Sequence, residues 1–245
     1  MKPNPEINPA DLARMELFQD VPETLLPEVA ARARVRLLPK DTTIFVQGSP
    51  ASHCHALIDG RVRISQSDEN GTQLVVRFIG PGEMFGTVAL FTDRKYPVDA
   101  TAVVDCVELS WTETALHELM AQCPPIAVNM VKILGVRIRE VQDRLREMAT
   151  QRVERRIAHA LLRLAAKSGL AAENGKTIDF PLTRKDVADL CGATLSTASR
   201  VLTGWEKAGY IQSKRQRVTL RDLEALQAIA EDRGENGLKA ERAKN

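Results

Sequence analysis

Apolar and polar positions change rhythm twice along the chain. Between residues 35 and 111 the apolar runs are short and cut by glycines at 48, 60, 71, 80, 82 and 86. Val62 and Ile64 alternate with Arg61, Arg63 and Ser65, the period-2 pattern of a half-buried strand. Asp68-Glu69-Asn70-Gly71 ends in Asn-Gly, a hairpin signal because both residues tolerate positive φ. Many short strands at this spacing predict a small barrel or β-roll. Residues 1–10, rich in Pro and Asn, read as a loose segment, and residues 6–32 as helical and packed against the strands.

The second rhythm begins after Pro124-Pro125, with no further proline until Pro181. Ala127, Val131, Leu134, Ile138, Val141, Leu145 and Met148 are spaced 4, 3, 4, 3, 4, 3. This 3.5-residue repeat is the seam of a two-stranded coiled coil, with Arg137, Arg139, Glu140, Asp143, Arg144 and Glu147 on the other faces. It predicts a homodimer. The alternative is a long helix lying on its own domain.

Beyond the seam the pattern predicts a helix over 152–167, a linker, a cluster of short elements over 179–220 and a last helix over 221–231. Thr183 and Asp186 form a capping-box relative, and Val187 and Leu190 give that helix an inner face. Cys191-Gly192-Ala193 is a short turn. Thr194 caps a second helix, with Leu195, Ala198, Val201, Leu202 and Trp205 toward the core and Gly209 as a stop. Two short helices joined by a Gly turn are a helix-turn-helix. Ser196, Thr197, Ser199 and Arg200 then face outward, suited to base edges in a major groove, and the caps Thr183 and Thr194 join them as DNA-binding candidates. Residues 210–211 and 218–220 read as two strands of a wing. Lys214, Arg215 and Arg217 lie at the turn between them, placed for phosphates.

Composition narrows the class. The 245 residues are 44% apolar and 27% charged, enough for one large or two ordinary folded domains. The longest uncharged stretch near the middle, 119–131, is too short for a membrane span and holds two prolines. The first residues show no apolar signal segment. Cys54, Cys106, Cys123 and Cys191 form no CxxC pair and read as reduced cytoplasmic thiols rather than zinc ligands. Net charge is only +2 but uneven: residues 149–245 carry 18 Lys and Arg against 12 Asp and Glu, and the rest 16 against 20. The basic C-terminal part suits a polyanion.

Two stretches carry a resemblance. The run 194–202, Thr-Leu-Ser-Thr-Ala-Ser-Arg-Val-Leu, and the run 78–86, Phe-Ile-Gly-Pro-Gly-Glu-Met-Phe-Gly, resemble the recognition helix and β-roll signature of the CRP/FNR family of bacterial transcription regulators. The resemblance covers nearly the whole chain. It implies an α+β architecture: a β-roll sensor over 1–123, a dimerisation helix over 124–149, a winged helix-turn-helix over 150–232 and a flexible tail over 233–245. It implies no enzyme, but a cytoplasmic homodimer on a near-palindromic duplex operator, contacting RNA polymerase if it is an activator.

The departures sharpen the reading. Cyclic-nucleotide-binding members have Glu after the Phe-x-Gly turn and an Arg-Ser pair some ten residues on. This chain has Thr87, then Pro97, Val98 and Asp99, which argues against cAMP or cGMP. No cysteine precedes Cys54, which argues against an iron–sulfur cluster of the FNR type. Ser196 stands where the family often has Glu, so the half-site should differ from the FNR half-site there, while Arg200 keeps a guanine partner. Residues 89–93, Tyr96-Pro97 and residues 204–206 resemble the NnrR/Dnr branch, which responds to nitric oxide in denitrification and for which haem is the suspected sensor.

The effector pocket is then expected among Phe78, Met84, Phe85, Gly86, Thr87, Val88 and Leu90. His55 is the haem-ligand candidate, alternating with Cys54 and sharing a strand face with His53. Alternatives are a constitutive or redox-responsive regulator without haem, with Cys123 as the thiol. A more distant one is a cupin-type metalloenzyme using His53 and His55.

Overall fold

The computed structural model describes residues 7–233. They divide into two compact units, with the boundary in sequence between Val141 and Gln142.

The first unit opens with α1 (Pro9–Ala13), capped by Asn8, whose side chain accepts from the Ala10 N–H at 2.9 Å. Residues 9 and 10 are therefore helical, not loose. A 3-10 turn (Glu23–Leu25) leads into α2 (Leu26–Ala31). The single helix expected over 6–32 is broken because Pro9 and Pro27 each sit in a first turn, where proline starts a helix but cannot continue one.

Eight strands follow: β1 (Arg34–Leu38), β2 (Thr43–Phe45), β3 (His53–Asp59), β4 (Val62–Ser67), β5 (Gln73–Ile79), β6 (Met84–Phe85), β7 (Asp99–Ala102) and β8 (Cys106–Thr112). They form two antiparallel sheets of order β1-β8-β3-β6 and β2-β7-β4-β5, the expected β-roll. At the β4–β5 turn Gly71 alone takes positive φ; Asp68 pins the five-residue loop by accepting from the Asn70 and Thr72 N–H groups. Arg61 and Ser65, expected outside, are buried; the register shifts beside Ser65.

The core of this unit is continuous. Trp111 packs edge-on against Phe18 and donates its indole N–H to the Val29 carbonyl at 3.0 Å. Helix α3 (Glu113–Gln122), capped by Thr112, leads into α4 (Pro124–Thr150). Ile126, Met130 and Ile133 of α4 join the same core, and Asn129 donates to the Leu17 and Gln19 carbonyls.

That buried stripe is not the heptad stripe. Val131, Ile138, Val141 and Leu145 are 70%, 58%, 60% and 68% exposed, and Met148 is exposed as well. Ala127 and Leu134 are half-buried. Helix α4 therefore has one apolar face on its own β-roll and a second that this chain leaves in water.

The second unit holds α5 (Val153–Ser168), β9 (Gly169–Ala172), β10 (Gly175–Ile178), α6 (Arg184–Leu190), α7 (Leu195–Lys207), β11 (Ile211–Lys214), β12 (Arg217–Leu220) and α8 (Leu223–Ala230). The expected linker is the hairpin β9–β10, which extends the wing into a sheet of order β11-β12-β10-β9. Ile157, Leu161, Phe180, Leu182, Val187, Leu202, Trp205 and Leu220 form the core here. The tail expected over 233–245 lies, from residue 234 on, outside the described residues. Among the described residues no single helix is long and apolar enough to cross a membrane.

Candidate functional site

The capping box that starts α6 is formed. The Thr183 hydroxyl accepts from the Asp186 N–H at 3.0 Å, and the Asp186 carboxylate accepts from the Thr183 N–H at 2.9 Å. At the other end Cys191 N–H reaches the Val187 and Ala188 carbonyls, Ala193 N–H reaches Ala188, and Gly192 takes φ +58°. A left-handed residue closing a helix this way is glycine's role. Thr194 then caps α7 by accepting from the Thr197 N–H at 3.2 Å, and its hydroxyl also bonds those of Ser196 and Thr197.

Ala198, Leu202 and Trp205 point into the core; Ser196 and Arg200 are exposed, and Thr197 and Ser199 half-buried. Leu195 was expected inside but is 49% exposed, since it opens the first turn beyond the inner stripe. Val201 is half-buried rather than core.

One contributor is missing from the sequence reading. Arg184, the first residue of α6, donates to the Ser199 carbonyl at 2.9 Å, the Thr203 hydroxyl at 2.7 Å and the Glu206 carboxylate at 3.0 Å. It fixes the start of α6 to α7 along the Ser199, Thr203 and Glu206 stripe, on the same side of that helix as the readers. Thr183-Arg184 before an apolar stripe marks only a helix start, so the sequence offers no signal for this bridge.

Strands β11 and β12 pair through Lys214 and Arg217, and the tip is the two residues Arg215 and Gln216, both at positive φ. A two-residue hairpin demands this geometry, normally met by Asn-Gly. Lys214, Arg215 and Arg217, with Gln212, Thr177 and Thr219, line a concavity of about 400 Å³. Thr177 comes from β10 and its hydroxyl bonds that of Thr219 at 2.8 Å. Arg155, Arg163, Arg184 and Lys185 pair with Asp232, Glu147, Glu206 and Asp189. Among the described residues Arg200, Lys214, Arg215 and Arg217 meet no carboxylate, so their charge is available to a polyanion.

The effector region is more filled than expected. Phe78, Met84, Phe85, Thr87 and Leu90 are buried, whereas Val88, on the 3-10 turn Val88–Phe91, is 46% exposed and walls no slot. Phe45 and Tyr96, absent from the expected set, stack at 3.8 Å, with the His55 ring 5.3 Å from Phe45 and 5.2 Å from Phe85. Gly86, at φ +71°, lies against these rings. A Cβ there would come within 3.0 Å of His55, 3.2 Å of Tyr96 and 3.3 Å of Phe45.

His55 is buried, not partly exposed. Its Nδ1 lies 2.5 Å from a Glu108 oxygen and its Nε2 3.1 Å from the Tyr96 hydroxyl. Arg36 holds the same carboxylate through two N–H groups, at 2.6 and 3.1 Å. Burial alone would raise the Glu108 carboxyl, but the bonds from His55 and Arg36 outweigh it and hold it below the ordinary range. Burial, then the neighbouring His55, lowers His53. A haem iron at His55 would need a free ring nitrogen, and both are engaged; the residues as arranged do not fit an axial ligand. Cys54, expected on the face opposite His55, is equally buried; burial pushes its thiol, and that of Cys191, up to about 12. Cys123 is buried too. Among the described residues no three His, Cys, Asp or Glu side chains converge as a metal site would require.

A β-roll followed by a long helix and a winged helix-turn-helix with unneutralised cations defines a DNA-binding regulator with a sensor-type domain. The family described as "Cyclic nucleotide-binding domain" matches residues 35–123, and the "Crp-like helix-turn-helix domain" matches residues 155–229. The transcriptional regulator SdrP of Thermus thermophilus is 30% identical over 188 residues, 76% of this chain and 88% of that one. The CRP-like cAMP-activated global transcriptional regulator of Mycobacterium tuberculosis is 26% identical over 215 residues, 88% of this chain and 96% of the relative. A solved transcriptional regulator of the CRP/FNR family, also from Thermus thermophilus, superposes with a TM-score of 0.69 at 26% identity, over 82% of this chain and all of that one. FixK2 of Bradyrhizobium japonicum, at 23% identity and a TM-score of 0.71 over 80% and 96% of the two chains, shares the fold. The chain belongs to the CRP/FNR family of transcription regulators.

Proposed function

We propose that this regulator works as a cytoplasmic homodimer whose two copies join along Val131, Ile138, Val141, Leu145 and Met148. The observation that carries the reading is the second apolar face of α4. A helix that merely lay on its own domain would bury its whole apolar surface, whereas this one buries Ile126, Met130 and Ile133 and leaves Val131, Ile138, Val141 and Leu145 of the 3.5-residue stripe mostly in water. Pairing two such chains brings two α7 helices to successive major grooves of a near-palindromic duplex, about 34 Å apart.

In this reading Ser196, Ser199 and Arg200 choose sequence, and Lys214, Arg215 and Arg217 supply sequence-independent attraction to phosphates. The test is operator selection from random duplexes, followed by affinity measurement. Arg200→Ala should relax discrimination at one base pair by about 1–3 kcal/mol, while Lys214→Ala should weaken all sequences alike. Equal losses by both variants on selected and random DNA would defeat the division of roles.

The sensor reading is that the β-roll answers a signal other than a cyclic nucleotide. Thr87 is buried where a ribose-binding Glu would stand. Asp99 brings a carboxylate toward the place of the phosphate and already accepts from the Gln47 N–H at 2.8 Å. Titration with cAMP and cGMP that leaves operator affinity unchanged supports this; a cyclic-nucleotide-dependent gain overturns it. The nitric-oxide-responsive reading keeps only its sequence resemblance as support. Protein reconstituted with haem that shows a Soret band shifted by nitric oxide would revive it.

A further inference from the structure

We infer that Arg156 is a positioning residue that sets which half-site spacing the dimer accepts, by tying the end of α4 to the turn of the helix-turn-helix. The inference rests on the dimer reading above. Arg156, on the first turn of α5, donates from one Nη to the Gln151 carbonyl at 2.8 Å, from Nε to the Cys191 carbonyl at 3.0 Å and from the other Nη to the Gly192 carbonyl at 3.4 Å. These three acceptors share a physical origin. Gln151 directly follows the last residue of α4, and Cys191-Gly192 directly follow α6. Carbonyls at a helix C-terminus lack intrahelical partners and carry the negative end of the dipole. One planar cation satisfies both helix ends, a geometry that a flexible ammonium with a single nitrogen does not reproduce.

Two further contacts converge on the same junction. The Met148 methyl lies 3.4 Å from where a Cβ at Gly192 would stand, so the last seam residue touches the turn itself. Glu147 beside it is buried and holds Arg163 of α5 at 2.5 and 3.0 Å. The turn at 191–193 runs straight into Thr194, the cap of α7. A displacement of the α4 end therefore passes through Arg156 to the turn, and from the turn to Ser196 and Arg200. With that tie intact each reader has a fixed setting against the end of α4 that carries Leu145 and Met148. The distance and rotation between two readers are then fixed as well.

The experiment uses the full chain and duplexes carrying the selected operator with its half-sites at the best spacing and at spacings one base pair shorter and longer. One base pair moves a half-site by about 3.4 Å and turns it by about 35°, so wild type should lose roughly tenfold or more in affinity at either change. Arg156→Met should flatten that penalty to about threefold or less while the protein stays a folded dimer, with a somewhat lower thermal midpoint for the lost hydrogen bonds. Arg156→Lys, which keeps charge and length and carries the test if the methionine variant fails to fold, should flatten it too. An unchanged spacing penalty in either variant, including one in which affinity falls equally at all spacings, overturns the inference. A wild-type chain that scatters light as a monomer, or binds one half-site as tightly as two, fails the dimer reading instead.

Discussion

Leu145→Glu tests the second face of α4. Leu145 is 68% exposed in the single chain, so the substitution removes almost no packing that one copy owns, and a surface change of this kind moves stability by about 0.5 kcal/mol or less. In a pair the same position is a knob. Full burial of a Leu, Ile or Val side chain stabilises by about 1.5–3 kcal/mol, so completing the burial of a residue two-thirds exposed contributes roughly 1–2 kcal/mol. Four such residues per copy, with the less exposed Met148, give a gross gain on the order of 10–20 kcal/mol, set against association costs of about 4–15 kcal/mol. Losing two leucines and facing two carboxylates across the seam removes at least about 3 kcal/mol, or more than a hundredfold in dimer dissociation constant. Sedimentation equilibrium across a range of concentrations, with thermal melting in parallel, reads both quantities. Expected is a monomer that melts near the wild-type monomer temperature and binds the full operator no better than a half-site. A variant that stays paired at wild-type affinity refutes the seam, and one that unfolds as a monomer refutes the claim that this face is unowned.

Three other outcomes follow from the geometry. Thr183→Ala removes the hydroxyl that caps α6 and should cost about 1 kcal/mol, read as a lower urea midpoint with unchanged slope. Cys54 and Cys191, with thiols pushed up to about 12 by burial, should resist a thiol reagent at pH 8 in the native protein and label at once in denaturant; fast native labelling contradicts their placement. Glu108 sits below its unfolded carboxyl range, so below the ordinary value of about 4.3 the unfolded chain binds the extra proton first. Its stabilisation is present above that value and lost as pH falls through the lower folded one. Glu108→Gln should flatten the acid side of the stability profile of the β-roll, and an unchanged acid limb would show that the carboxylate contributes nothing there.

Much of the DNA reader was legible in the chain because its signals are local. A cap three residues from its acid, a Gly turn and a second cap each fix a few backbone groups, and Thr183, Gly192 and Thr194 take those roles. The alternation of short strands likewise foretold the β-roll. What escaped depends on distant partners. Arg184 and Arg156 are ordinary helix residues until the fold brings carbonyls and hydroxyls from elsewhere to their guanidinium groups. Phe45 and Tyr96 lie 51 residues apart in sequence and stack only because their segments converge on Gly86. The hairpin β9–β10 did carry a signal, Asn174-Gly175 after the short apolar run 170–172, but strands of four residues lack the length for a clear period. Leu195 shows the opposite failure, an apolar side chain in line with the inner stripe of α7 but one turn beyond the core it would have packed against.

The two-sided character of α4 restricts how that helix can move on the β-roll. Spinning the rod about its own long axis would drag Asn129 off the Leu17 and Gln19 carbonyls and drive Ile133 into water. A lengthwise slide would break the same Asn129 bonds, so this stretch of α4 is locked on the β-roll against both movements. On the proposed sensor reading, a signal would pass along α4 by flexure beyond this anchored stretch.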